Sequence, residues 1–216
     1  MNMQAVWQAD PGANSCHSIS VSTSTTTSKS STSLAPTKYS PLQPACTRAP
    51  VASDRALFNV FTIGRSTTPV RARAGLKVDP DFSISDHPPM DCLIVPGGVV
   101  NAEMEKADVI RWISDQSEPG RVVAAVCTGA FMLAKTGKLA GKQVTTHWED
   151  IGDLKEMFPS VDVLSTLRWV DEGSFVTSAG ISAGIDMSLH LVERLHSREL
   201  AERTALQMDF DWTEND

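Results

Sequence analysis

Hydrophobic and polar positions along the chain fall into two regimes. From residue 55 onward, short apolar runs alternate with segments of helical period, the pattern of a strand–helix–strand architecture. Phe58-Asn59-Val60-Phe61-Thr62-Ile63 reads as a strand ended by Gly64, and Leu76-Lys77-Val78 as a short alternating strand. Cys92-Leu93-Ile94-Val95 and Val122-Val123-Ala124-Ala125-Val126 are apolar at every position, which predicts strands of a parallel sheet covered on both faces. Val144-Thr145-Thr146-His147 predicts a third such strand. Asn101 is placed to cap a helix whose Met104, Ala107, Ile110 and Ile113 share a face, and Pro119-Gly120 stops it. Another helix follows from about Gly129 to Lys135. Leu167 to Val170, the turn Asp171-Glu172-Gly173 and Phe175 to Thr177 predict an antiparallel hairpin. The helix from Ser182 to Leu195 is apolar on most sides and should be largely buried, and a last amphipathic helix covers about Arg198 to Met208. The expected fold is α/β, a three-layer sandwich with a mainly parallel sheet.

Residues 1–54 follow no such pattern. Thirteen of the sixteen residues from Ser18 to Ser33 are Ser or Thr, and Pro36, Pro41, Pro44 and Pro50 follow. A tract with so few large apolar side chains cannot offset its ordering entropy, so residues 1–54 are expected to be a disordered tail ahead of a domain at 55–216. Ser-rich and acid-poor, the tail also has the composition of an organelle transit peptide. Against that stand only three basic residues, Lys29, Lys38 and Arg48, and no amphipathic Arg pattern.

Composition narrows the function classes. The formal net charge is −7, and the excess acid lies after Asp54, which argues against a nucleic-acid-binding face. The longest mostly apolar run, Val122 to Ala134, is interrupted by Thr128 and Gly129 and falls short of the ~20 residues of a membrane span. Cys16, Cys46, Cys92 and Cys127 form no CxxC pair and no Cys/His cluster. Neither a metal, a disulfide framework nor a cofactor is expected, and a reducing cytoplasmic setting is the simpler reading.

The sharpest chemical feature is Val126-Cys127-Thr128-Gly129, where a buried strand runs directly into a helix. Such a turn places a sulfur above the carboxyl end of the sheet, where open α/β folds hold their sites. The helix start favours a thiolate there. A buried structural cysteine is the competing reading of Cys127. Cys92, inside a strand, fits packing better. Pro96-Gly97-Gly98 ends the neighbouring strand, and the Gly98 and Thr128 N–H groups are candidates for an oxyanion hole. A strand-ending turn explains the same glycines. His147 closes the third strand and is a candidate proton carrier to the thiol, or a satisfied structural histidine. His190 and His196 read as structural, and His87 carries no signal.

The segments PVRARAGLKVDPDF (69–82), DCLIVPGG (91–98), VCTGAFMLAKTGKLAGKQVTTHW (126–148), FVTSAGISAGIDMSLHLVERL (175–195) and ELAERTALQMDFDW (199–212) together resemble the ThiJ/PfpI superfamily. That superfamily shares the flavodoxin-like, class I glutamine amidotransferase-like fold. The likeness is to its isonitrile hydratase branch and to the sensor domains of AraC-type regulators. It implies that Cys127 is the nucleophile, that Thr128 and the Gly98 backbone line the oxyanion site, and that His147 lies near the cysteine. It also implies a homodimer acting on a small-molecule substrate without a cofactor. The implied activity is that of a lyase converting an isonitrile to an N-substituted formamide; the alternative is a non-catalytic ligand-sensing domain. Members begin with a strand–loop–helix unit whose loop carries an Asp or Glu bonded to the cysteine, and no segment before Phe58 matches it. The amidotransferase His-x-Glu pair is absent from this sequence, and the peptidase Cys-His-Gly elbow is replaced by Cys127-Thr128-Gly129.

Overall fold

The computed structural model describes residues 3–6, 17–21, 57–72 and 75–215. Strands β1 (Met3–Val6) and β2 (His17–Val21) precede β3 (Phe58–Gly64). A ribbon of β4 (Val70–Arg71) and β5 (Lys77–Val78) follows, then β6 (Phe82–Ser83) against the end of β3. Next come β7 (Cys92–Val95), α1 (Asn101–Met104), α2 (Ala107–Asp115), β8 (Val122–Val126) and α3 (Gly129–Lys135). After β9 (Gln143–Val144), α4 (Ile151–Met157) and β10 (Asp162–Val163), the chain forms the hairpin of β11 (Trp169–Asp171) and β12 (Phe175–Ser178). It ends with α5 (Ile181–Leu195) and α6 (Arg198–Gln207).

The main sheet has the order β1-β3-β2-β7-β8-β12-β11, with β6 on β3. The pairs β2–β3, β2–β7, β7–β8 and β8–β12 are parallel, giving the expected α/β architecture. Strand alternation divides the core into two apolar layers. Leu93, Val95, Val123 and Ala125 join Val109, Trp112, Ile113 and Phe131 on one face. Cys92, Ile94, Val122, Ala124 and Val126 join Met187, Leu191, Val192 and Leu200 on the other. Because β7 and β8 are apolar and buried at every position, both layers form around them without a solvent-facing side.

Three expectations change. Two segments of the tail, expected to be disordered, are strands β1 and β2; the rest of that expectation lies outside the described residues. Both strands enter the slot between β3 and β7. β2 pairs with Phe58–Val60 and Cys92–Ile94, and β1 runs antiparallel to Phe61–Gly64 while also meeting Leu93 and Ile94. In that slot β1 and β2 supply backbone partners to β3 and β7. Second, Val144 to His147 is not a strand of the main sheet: β9 stops at Val144 and pairs only with β10. Third, the helix after Val100 is broken. Lys106 is extended at ψ 93°, so α2 restarts in a new register and buries Val109, Trp112 and Ile113, leaving Ala107 exposed. Asn101 is the first helical residue of α1 rather than its cap.

Polar anchors lock the far edge. Asp186 is fully buried in α5; one carboxylate oxygen accepts from the Arg168 guanidinium and the other from the Thr213 N–H at 2.9 Å. His190 Nε2 lies 2.7 Å from Asp171 Oδ2 and its ring stacks on Trp169, tying the hairpin to α5. His87, without a signal in the sequence, accepts the Trp112 indole N–H at 2.9 Å. Among the described residues no helix is long and apolar enough to cross a membrane.

If β1 and β2 close the slot, a chain that starts at residue 55 loses hydrogen bonds worth ~0.5–1.5 kcal/mol each. Thermal unfolding should show a midpoint lowered by about 10 °C or more. An unchanged midpoint would show that residues 1–54 contribute nothing to the sheet.

Candidate active site

The site begins where β8 ends. Cys127 has φ 54°, the left-handed region that a non-glycine residue rarely occupies, and Thr128 returns to φ −64° to start α3. Two strands hold this turn. The Cys127 N–H donates to the Ser178 carbonyl at 3.0 Å, extending the β8–β12 ladder past its last pair. The Cys127 carbonyl accepts from the Thr146 hydroxyl at 2.8 Å and from the Ala130 N–H at 3.2 Å. Thr145 is fixed in turn by its N–H to Thr177 Oγ1 at 2.9 Å and its hydroxyl to the Leu164 carbonyl. The Thr-Thr-His segment therefore reaches the turn through buried hydroxyl bonds, not as a sheet strand.

Glycine is required at two contacts. A side chain on Gly97 would begin 2.8 Å from Cys127 Cβ and from the Val126 carbonyl. One on Gly129 would run into the Val95 and Pro96 carbonyls. The ends of β7 and β8 thus pack backbone to backbone beneath the sulfur.

Thr128 is the cap residue of α3, but its side chain makes no cap bond. Its hydroxyl accepts the Gly98 N–H and donates to the Gly98 carbonyl, both at 2.7 Å. The Gly98 N–H expected to face an oxyanion is therefore engaged by Thr128, and Gly98 serves to orient that residue. Gly98 itself sits at φ 142°, which favours glycine. The Thr128 N–H has no hydrogen-bond partner among the described residues.

Cys127 is buried at 8% exposure, whereas Cys92 is fully enclosed and burial pushes its thiol well above the ordinary range. His147 is also buried; its Nδ1 accepts the Glu149 N–H at 3.4 Å and lies 3.5 Å from carboxylate oxygens of Glu149 and Asp150. Its ring edge lies against Gly180, where a Cβ would be 2.9 Å from Cδ2. Both histidine and cysteine are thus placed beside the end of β12, while the contacts of His147 are with Glu149, Asp150 and Gly180.

A cavity of about 330 Å³ opens beside the turn, lined by Thr128, Phe131, Met104, Asp150, Asp153 and Glu156 among others. The sequence reading missed these three acids. Their spacing of three residues after His147 is the signal that places them along one side of a short helix. Among the described residues no group of three His, Cys, Asp or Glu side chains is placed to hold a metal ion.

Residues 48–194 match the DJ-1/PfpI family. The chain belongs to that family. It is 37% identical over 149 residues to the HTH-type transcriptional regulator GbdR of Pseudomonas aeruginosa, covering 69% of this chain and 40% of the regulator. It is 33% identical over 153 residues to the isonitrile hydratase of Pseudomonas putida, covering 70% of this chain and 65% of that enzyme. The chain thus spans less than two thirds of either relative. A ThiJ/PfpI family protein from Pseudomonas syringae superposes with a TM-score of 0.68 at 22% identity, over 85% of this chain and 72% of that one. This last likeness shows the shared fold.

The environments of the two core cysteines predict their order of reaction. Iodoacetamide at neutral pH should modify Cys127 at least about tenfold faster than Cys92 in the native protein, as thiolate character and access differ. Peptide mass mapping reads both sites, and faster labelling of Cys92 would overturn the assignment of the turn.

Proposed function

We propose that this protein is a cysteine-dependent enzyme of the isonitrile hydratase type, with Cys127 as nucleophile. The observation that carries the reading is the left-handed backbone of Cys127, a conformation costing ~1–3 kcal/mol that is characteristic of functional turns. The 33% identity to an isonitrile hydratase supports the choice of substrate class. In the proposed reaction the Cys127 thiolate attacks the terminal isonitrile carbon, and that carbon takes up a proton to give an S-linked thioimidate. Water adds across the C=N bond, and collapse of the adduct releases an N-substituted formamide and restores the thiolate. The Thr128 N–H is assigned to the oxygen that bears charge in the adduct, with Gly98 holding Thr128 in place. His147 is assigned to carry protons, oriented by Glu149 and Asp150.

The resemblance to a transcriptional regulator, at 37% identity, favours a second reading in which the same site only binds a small ligand. The family's cysteine-bonded carboxylate has no match in this sequence. General acid–base help is worth ~10²–10⁴-fold, so turnover without that carboxylate should be slow.

Incubation with an alkyl isonitrile tests both readings. Intact-mass analysis should show one adduct, mapped to Cys127, with slow release of the formamide seen by NMR. Cys127→Ser should lose both signals. A ligand-induced rise in melting temperature with neither adduct nor formamide would support the sensing reading and contradict the enzymatic one.

A further inference from the structure

Thr146 is only 1% exposed, and its hydroxyl donates to the carbonyl of Cys127, nineteen residues away in sequence, at 2.8 Å. The Cys127 carbonyl and the Thr128 N–H are the two ends of one planar trans peptide unit, so they point in opposite directions. Whatever fixes the carbonyl therefore fixes the direction of the N–H. That N–H has no hydrogen-bond partner among the described residues, and Thr128 lines the cavity of about 330 Å³ beside the turn.

The clamp is itself anchored. The neighbouring Thr145 N–H donates to Thr177 Oγ1 on β12 at 2.9 Å, and the Thr145 hydroxyl donates to the Leu164 carbonyl at 3.0 Å. The second donor to the Cys127 carbonyl, the Ala130 N–H at 3.2 Å, belongs to the same turn and moves with it. Of these two bonds, the one from Thr146 alone ties the peptide to a separate segment. On its other side Thr128 is held through its hydroxyl, which bonds the Gly98 N–H and carbonyl, both at 2.7 Å. A carbonyl that accepts a hydrogen bond also polarises its own amide, which strengthens the N–H as a donor.

We infer that Thr146 is a positioning residue: its buried hydroxyl clamps the Cys127–Thr128 peptide and aims the Thr128 N–H at the oxygen on which charge develops. The inference rests on Cys127 as nucleophile and on the Thr128 N–H as oxyanion donor, and it deepens that reading by naming what holds the donor in place. Thr146 acts through the peptide, so it should govern reactions that pass through an oxyanion and spare those that do not.

p-Nitrophenyl acetate and iodoacetamide separate the donor from the nucleophile. With the ester, the Cys127 thiolate bonds to the carbonyl carbon and the C=O electron pair moves onto oxygen. The tetrahedral adduct then collapses to S-acetyl-Cys127 and p-nitrophenolate. With iodoacetamide, sulfur displaces iodide from the CH2 carbon and no oxyanion forms. Peptide mass mapping gives both rates at Cys127, and their ratio cancels a change in the sulfur itself. In Thr146→Val the ester-to-iodoacetamide ratio should fall about tenfold, less than the ~10²–10³-fold cost of deleting an oxyanion donor outright. In Thr146→Ser, which keeps the hydroxyl, the ratio should stay within about twofold of wild type. An unchanged ratio in folded Thr146→Val, even where both rates drop together, overturns the inference and leaves the nucleophile reading intact. A ratio that falls as far in Thr146→Ser as in Thr146→Val overturns it too, because the methyl group and not the hydroxyl then matters. If Thr146→Val does not fold, Thr146→Ala is read in the same way, and failure of both to fold shows a hydroxyl needed for stability alone and overturns the inference. A wild-type Cys127 that is alkylated but never acylated overturns the oxyanion donor and this inference with it. Failure to react with either reagent overturns the nucleophile reading as well.

Discussion

Cys127 keeps a left-handed backbone because its N–H is tied to the Ser178 carbonyl and its carbonyl to the Thr146 hydroxyl. An extended or helical backbone at this residue would break the continuation of the β8–β12 ladder or the hydroxyl bond. Strain of ~1–3 kcal/mol persists when surrounding bonds over-determine it, and here three segments do so. β12 supplies a carbonyl, the Thr-Thr-His segment a hydroxyl, and β7 a pair of glycine-lined contacts through Gly97 and Gly129. The site is consequently a property of how strand ends meet rather than of any one loop.

That convergence depends in turn on the sheet. β7 and β8 run parallel in register from Cys92 to Val95, and their all-apolar faces let helices cover both sides. In the slot between β3 and β7, β1 and β2 both take Leu93 and Ile94 as partners. Two short strands share a place that a single longer strand would fill with one continuous ladder. On the other side of the turn, Asp150, Asp153 and Glu156 line the cavity beside Thr128.

The strand-to-helix turn, the glycine pair and the β11–β12 hairpin were legible in the sequence because each rests on local pattern: an apolar run meeting Cys-Thr-Gly, or turn residues between alternating strands. β2 was not legible. His17-Ser18-Ile19-Ser20-Val21 alternates as a strand should, but it sits within a Ser/Thr tract and acquires order only from the non-local edges of β3 and β7. The path of His147 was misread for a related reason. Threonine-rich sequence predicted a strand, whereas Thr145 and Thr146 spend their polar groups on Thr177 and Cys127, which no local pattern reveals. The break at Lys106 is likewise set by packing, since Trp112 and Val109 bury only after the helix restarts. The engagement of the Gly98 N–H by Thr128 depends on a rotamer that residue spacing does not determine.

The most direct test of the elbow is to fill the space beneath it. Gly97→Ala adds one methyl group at a point 2.8 Å from Cys127 Cβ and the Val126 carbonyl, so the turn must shift while the strands and helices remain. Alkylation of Cys127 by iodoacetamide in this variant, with folding checked by circular dichroism, should slow by about tenfold or more, the scale on which thiol reactivity follows its local environment. Labelling of a folded Gly97→Ala protein at the wild-type rate would contradict the claim that the geometry of this turn makes Cys127 reactive.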